Sequence, residues 1–388
     1  MCLIPTLPKL KIYIQLEEDI CELLEQNGLS YAAARQIAKA ANGLLRGLKK
    51  SISHLQRLYF PEFSVKDVLK YINRLKKRFR QVNKALLERI QKSWDKRRRV
   101  FVICDDYMIP RWTKKAYRTG YFRDPVVKKV RLGHNVVDTV IATGGIEITM
   151  DFALQPKNAR IKKTGRAREQ LLQALSQLLA HGTPKARIRV AIDGGYTNST
   201  VLPALRERGI IYLGTARRDK LCTMFGKEQR VDAVFPANPD SYLTVNGTVY
   251  YYDVKTLNLI GWGRHQVFQV WWSGEKKTKF YLTNDLKMTA LTFLKCQRER
   301  WWIEQSHRDL KQFCGVKQLF VRKKRSVEGR IALSYLLKNV LAMLIAEAGL
   351  TMREYPIETL VEKEFCQVDQ FLIQSALNSG VLEELEVC

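Results

Sequence analysis

Between residues 16 and 80 the apolar positions recur at helical spacing. Leu23, Leu24 and Leu29 form one group, and Ala33, Ile37, Ala40 and Leu44 fall three or four apart. Asn27-Gly28 stops the first helix and Ser30 can cap the second. Phe60-Pro61 breaks the chain, and Ser64 opens a third pattern through Val68, Leu69 and Ile72. The pattern predicts a small helical domain into which a helix-turn-helix fits.

At Val100 the period changes. Val100–Asp106 is a short apolar run ending in acids, which predicts a buried strand. Asn135–Ala142 and Ile146–Leu154 are β-rich, with the hairpin signal Gly144-Gly145 between them. Arg166–His181 reads as a helix and Arg187–Ile192 as a strand ending at Asp193-Gly194-Gly195. A helix over Thr197–Arg208 and a strand over Ile210–Gly214 follow. The order β, β, β, α, β, α, β predicts a mixed sheet with helices on its faces. Residues 222–286 read as all-β, with Tyr242–Val254, Val267–Trp272 and Thr278–Leu282 as strands. Helical pattern resumes over Lys287–Phe313 and Ser326–Ala348.

The chain has 388 residues, enough for two or three units. With 46% hydrophobic residues it can bury a sizeable core. The net charge of +28 favours a polyanionic partner, nucleic acid or an anionic membrane. The most apolar stretch, Ile331–Leu350, carries Lys338, Asn339 and Glu347 and is too polar for a span. No basic region precedes an apolar block at Met1-Cys-Leu-Ile-Pro5, so no signal peptide is expected. Eight scattered cysteines without a C-x-x-C pair disfavour a zinc ribbon and fit a reduced, cytoplasmic setting. Between Arg74 and Arg99 stand twelve Lys and Arg, including Arg97, Arg98 and Arg99, against Glu88 and Asp95 alone. A solvated helix and linker is one reading of that run, a contact with the DNA backbone the other.

Two predicted strands end in carboxylates, Asp105 (or Asp106) and Asp193. If the strands are neighbours, both acids come within reach of one metal ion; the plain alternative is a turn or cap. A third acid sits on a helix. At 100° per residue, Gln297, Arg300, Glu304, His307 and Lys311 share one polar stripe, and Trp301-Trp302 imply that the helix is largely buried. A stripe mixing acid, imidazole and cations suits a phosphate-and-metal site; the plain alternative is a solvent face with i,i+4 ion pairs.

With these residues placed, the stretch from Val100 to Ala348 resembles the DDE transposases of bacterial insertion sequences, in the class with an all-β insertion inside an RNase H-like core. That class carries Tyr, two residues, Arg, three residues, Glu, six residues, Lys. Arg300, Glu304 and Lys311 match that spacing, and Gln297 replaces the Tyr. Asp193-Gly194-Gly195-Tyr196 matches the second acid, and Asp105 is favoured over Asp106 for the first. The resemblance implies an RNase H-like α/β sheet with flanking helices, an all-β insertion and an N-terminal helical domain. It implies Mg²⁺ (or Mn²⁺) held by Asp105, Asp193 and Glu304, a two-metal mechanism for strand cleavage and strand transfer, and phosphate contacts from Arg300 and Lys311. Its partners would be double-stranded DNA, as terminal inverted repeats and target, and a second copy of the chain on DNA, in a prokaryotic cytoplasm.

The division expected is 1–99 helical DNA-binding domain with basic linker, 100–221 first part of the core, 222–286 insertion, 287–350 core helices and 351–388 helical tail. Further basic groups frame the site: Lys114, Lys115, Arg118, Arg123, Lys128, Lys129 and Arg131, then Lys157, Arg160, Lys162, Lys163, Arg166 and Arg168, then Arg322–Arg325. Trp262, Trp271 and Trp272 stand in the insertion as core residues, or as holders of a flipped base. His307 is expected to pack or hydrogen-bond. Two rival functions share the acids: an RNase H-like nuclease that joins nothing, and a DNA-binding relic that neither cuts nor joins.

Overall fold

The computed structural model describes residues 9–46, 51–92, 94–124, 127–155, 163–274, 277–317, 319 and 321–360. Lys157, Arg160 and Lys162, three of the cysteines, and the expected tail beyond 360 lie outside them. The other five cysteines are free thiols.

Four helices come first: α1 (Lys9–Gln26), α2 (Tyr31–Arg46), α3 (Ile52–Tyr59) and α4 (Val65–Gln91). Ser64 caps α4, its hydroxyl accepting from the Asp67 amide, and Asp67 places an acid in the positive first turn. The strands β1 (Val100–Pro110), β2 (Gly120–Asp124), β3 (Lys129–Thr143) and β4 (Ile146–Gln155) follow. Then come α5 (Lys163–Ala180), β5 (Ile188–Ile192), α6 (Leu202–Arg206) and β6 (Ile211–Ala216). The turn between β3 and β4 is Gly144-Gly145, both at positive φ, which a hairpin twisted with its strands requires.

β3 runs antiparallel to β1 and to β4, while β1, β5 and β6 are parallel. The core order β4-β3-β1-β5-β6 is the RNase H-like arrangement. β2 pairs with the first residues of β3, in a stretch expected to be loop, so Arg123, Lys129 and Arg131 lie on strands. The helix expected from Thr197 is confined to α6, because Asn198 folds the preceding residues into a turn by accepting from the Thr200 and Val201 amides.

The insertion contains β7 (Leu221–Met224), β8 (Lys227–Arg230), the single turn α7 (Val231–Val234), β9 (Ser241–Val245), β10 (Thr248–Leu259), β11 (Gly263–Trp272) and β12 (Lys279–Thr283). It is not a separate sheet. β12 pairs antiparallel with β6, so the insertion extends the core into one 12-stranded sheet.

Four helices close the described chain: α8 (Ala290–Glu299), α9 (Trp301–Gln312), α10 (Lys324–Glu347) and the single turn α11 (Ile357–Leu360). The single helix expected over 287–313 is broken at Arg300. α5 covers one face of β1, β3 and β4; α9, α10 and α4 cover the other. α10 is almost wholly buried from Val327 to Ala346, and its buried Lys338 pairs with the buried Glu147 at 2.9 Å. Contrary to the expectation that Ile331–Leu350 is too polar for a span, this helix is long and apolar enough to cross a membrane, and 94% of its most apolar 18 residues are buried inside the protein.

The basic run Arg74–Arg99 is helix up to Gln91 and connects to β1 over residues 92–99. Most of it is α4, which buries Val68, Ile72, Leu75, Phe79, Val82, Leu86 and Ile90 along one stripe against α10 and β4. Several of its cations are spent internally. Lys76 and Arg80 pair with Asp151, and Arg89 with Asp19 and Glu347. A Cβ on Gly329 of α10 would sit 2.2 Å from the Ile72 carbonyl oxygen of α4, so glycine is what lets the helices cross this closely.

Candidate active site

Asp105 lies midway along β1, and Asp193 follows the last residue of β5, the parallel neighbour of β1. The backbone at Asp193 is fixed by its carbonyl, which accepts from the Tyr196 and Thr197 amides. Glu304 comes from α9, which packs on β1. All three acids line one cleft of about 600 Å³, together with Arg300, His307 and Lys311. Gln297, on α8, is not among its lining residues.

Asp105 and Asp106 alternate across the sheet, as neighbours on a strand must. Asp106 accepts from the Lys163 ammonium and, at 2.8 Å, from the Tyr196 hydroxyl. Both bonds end on Oδ1, and Asp106 also lines the cleft. Asp105 faces α9, with its Oδ2 3.6 Å from the Arg300 guanidinium. Burial, and then the like charge of Asp193, push its carboxyl up to about 6. The same guanidinium reaches Glu304 at 3.0 Å, so Arg300 stands between two of the acids. Burial lowers the Lys311 ammonium pKa, and Lys311 lies 5.0 Å from the Tyr107 ring.

The stripe expected on this helix is therefore half right in its surroundings. Trp302 is buried, its indole N–H donating to Glu299, whereas Trp301 is exposed. Glu304 itself is 49% exposed at the mouth of the cleft. His307 does hydrogen-bond. Its Nε2 is 2.9 Å from Oδ1 of Asp138, a fully buried acid whose Oδ2 accepts from Tyr335 at 2.6 Å. Asp138 is the cross-strand partner of Asp105 and sits directly behind the cleft. Sequence reasoning passed over it, although an acid inside the apolar run Asn135–Ala142 signals a buried partner.

The donor set is carboxylate oxygen throughout, the chemistry that hard divalent cations take. Among the described residues no three His, Cys, Asp or Glu side chains are drawn together closely enough to hold an ion.

Arg97, Arg98 and Arg99 are not brought to the acids. They precede β1, and six residues of strand put Arg99 roughly 20 Å from Asp105. Arg98 pairs with Asp95, and Arg99 donates to the Cys296 sulfur. Arg98 and Arg99 line a different cleft, with Lys295, Glu299 and Arg353. Trp262 and Trp272 are half-buried under Lys220 and Lys279, and Trp271 packs on Tyr251.

No curated protein matches the sequence. The family model described as "Transposase DDE domain" matches residues 146–340, half of the chain. The matched stretch contains Asp193 and Glu304 and begins after Asp105. The chain therefore belongs to the DDE transposase family, and the domain it carries is of the transposase nuclease type that acts on DNA.

Proposed function

We propose that the protein is an insertion-sequence transposase that cuts DNA at element ends and joins them to a target, with Asp105, Asp193 and Glu304 as its catalytic acids. The observation that carries this reading is the single cleft that gathers those acids with Arg300 and Lys311 beside the parallel strands β1 and β5. Asp105, Asp193 and Glu304, which line one cleft but stand apart in this structure, would hold Mg²⁺ or Mn²⁺ once drawn together, and their carboxylate oxygens suit such ions. When bound, such ions activate a hydroxyl nucleophile and offset charge on the leaving oxygen.

The chain's own groups do the rest. Arg300 grips a phosphate through its planar fork, exchanging its carboxylate partners for phosphate oxygens. Lys311 adds a point charge deeper in the cleft. The bond from His307 to Asp138 fixes the imidazole against Tyr107, and so the wall behind Asp105. Asp106, held by Lys163 and Tyr196, anchors the strand from the opposite face. Arg97, Arg98 and Arg99 would touch DNA away from the cut. Joining two element ends calls for two copies of the chain on DNA. The spacing Arg300–Glu304–Lys311 supports the subclass named by that signature.

The test is a supercoiled plasmid carrying the inverted repeats that flank the reading frame, incubated with protein and Mg²⁺. Joined products are expected. Cutting without joining refutes the transposase reading in favour of a plain nuclease, and DNA binding with neither refutes catalysis.

A further inference from the structure

A second basic cleft, of about 330 Å³, opens at the carboxyl end of β4. Its lining includes five cations, Lys76, Lys77, Arg80, Arg118 and Arg166, against one acid, Glu328. Asp151 absorbs Lys76 and Arg80. No ion pair among the described residues holds Lys77, Arg118 or Arg166. Arg118 donates to the Leu154 carbonyl at 2.8 Å from a left-handed backbone, φ +55°, that non-glycine residues rarely adopt. The Nε of Arg166 is buried with no hydrogen-bond partner among the described residues. Burial, and then the neighbouring Arg118, lower the Arg166 pKa. Two guanidinium groups lining one cleft repel one another, and a buried donor left unmade is costly. An anion would correct both.

The position says which anion. β1 and β4 each run antiparallel to β3, so their carboxyl ends share one edge of the sheet. Asp105, Asp138 and Phe152 are consecutive cross-strand partners, and Phe152 lines the basic cleft. Two strand spacings put Phe152 about 10 Å from Asp105. At 3.4 Å of axis per nucleotide, that is about three nucleotides of duplex. We propose that this cleft binds the phosphate backbone of the duplex about three nucleotides from the bond that is cut, with Arg118 and Arg166 as the principal contacts. The proposal rests on the transposase reading of the acid cleft.

The experiment uses the full chain and a labelled DNA duplex of mixed sequence, with binding measured by anisotropy across a salt series. Wild type is compared with Arg118→Gln/Arg166→Gln, with Lys77→Gln, and, as a control, with Lys185→Gln, an exposed cation that precedes β5 at the end of that strand away from Asp193. Removing one cation from a phosphate should lower the slope of log K against log salt by about 0.9. The double variant is expected to lose about 1.8 from the slope and to bind at least tenfold more weakly at low salt; Lys77→Gln should lose about 0.9 and the control nothing. If the double variant fails to fold by circular dichroism, the exposed Lys77→Gln decides. A steep wild-type slope kept within about 0.3 by the deciding variant overturns the cleft and leaves the transposase reading standing. A wild type without salt-sensitive DNA binding overturns both.

Discussion

Replacing Glu304 with Gln separates two accounts of the same side chain. Glu304 is about half exposed and pairs with Arg300 one helical turn away. An exposed i,i+4 pair contributes about 0.3–0.5 kcal/mol, so Glu304→Gln should lower stability by no more than that. In a protein of this size the melting temperature should fall by about 2 °C at most. Arg300, released from Glu304, keeps Asp105 as its partner at 3.6 Å. Catalysis should respond on another scale. Removing a carboxylate that holds a divalent ion withdraws several kcal/mol of transition-state stabilisation. At 1.36 kcal/mol per decade, a loss of about 4 kcal/mol slows cleavage by about three powers of ten. DNA binding should hold or tighten, since a negative charge near phosphates has gone. The assays are thermal melting, duplex binding by anisotropy, and Mg²⁺-dependent nicking of a supercoiled plasmid. Cleavage within tenfold of wild type would make Glu304 an ordinary solvated helix residue and refute the assignment.

Three further outcomes are expected. Asp105→Asn should abolish nicking, whereas Asp106→Asn, which weakens the bonds from Lys163 and Tyr196, should cost about 1–3 kcal/mol in a melting experiment and leave nicking within tenfold; the reverse pattern would reassign the first acid. Burial, and then Glu147, push the Asp309 carboxyl up to about 7, so the folded protein holds that proton more tightly than the unfolded chain. The stability from this group is full below about pH 4 and is lost as pH rises through about 7; Asp309→Asn should raise the melting temperature at pH 8 and leave it unchanged at pH 4, and an equal shift at both pH values would refute the cause. Gly329→Ala should cost about 3 kcal/mol by forcing α10 off the Ile72 carbonyl, read as a lower melting temperature, and an unchanged one would show that the crossing relaxes freely.

Much of the core was legible because its signals are local. The run into Asp105, the turn after Asp193, and the period that puts Arg300, Glu304, His307 and Lys311 on one side each lie within a dozen residues. What stayed hidden depends on distant partners. The twelve cations of Arg74–Arg99 masked a buried stripe, since a hydrophilic helix reads as a linker until α10 is seen against it. The joining of insertion and core rests on pairs such as Ala216 with Phe280, which no local pattern encodes. Asp138 finds His307 and Tyr335 more than 160 residues away. One signal was local and still passed over. Asn246-Gly247, both at positive φ, splits the expected strand Tyr242–Val254 into the hairpin β9–β10.

The path of the chain through the sheet sets an order of synthesis. Asp105 and Asp193 sit on β1 and at the end of β5, which can pair as soon as they emerge. Glu304 lies about 110 residues beyond Asp193, after the whole insertion has been laid against β6. At ribosomal speed that gap is roughly 6–20 seconds. During that interval the nascent protein has two acids and most of its basic surface, and no third carboxylate. A chain stopped before α9 would lack Glu304 and also α10, the helix against which α4 and β4 pack.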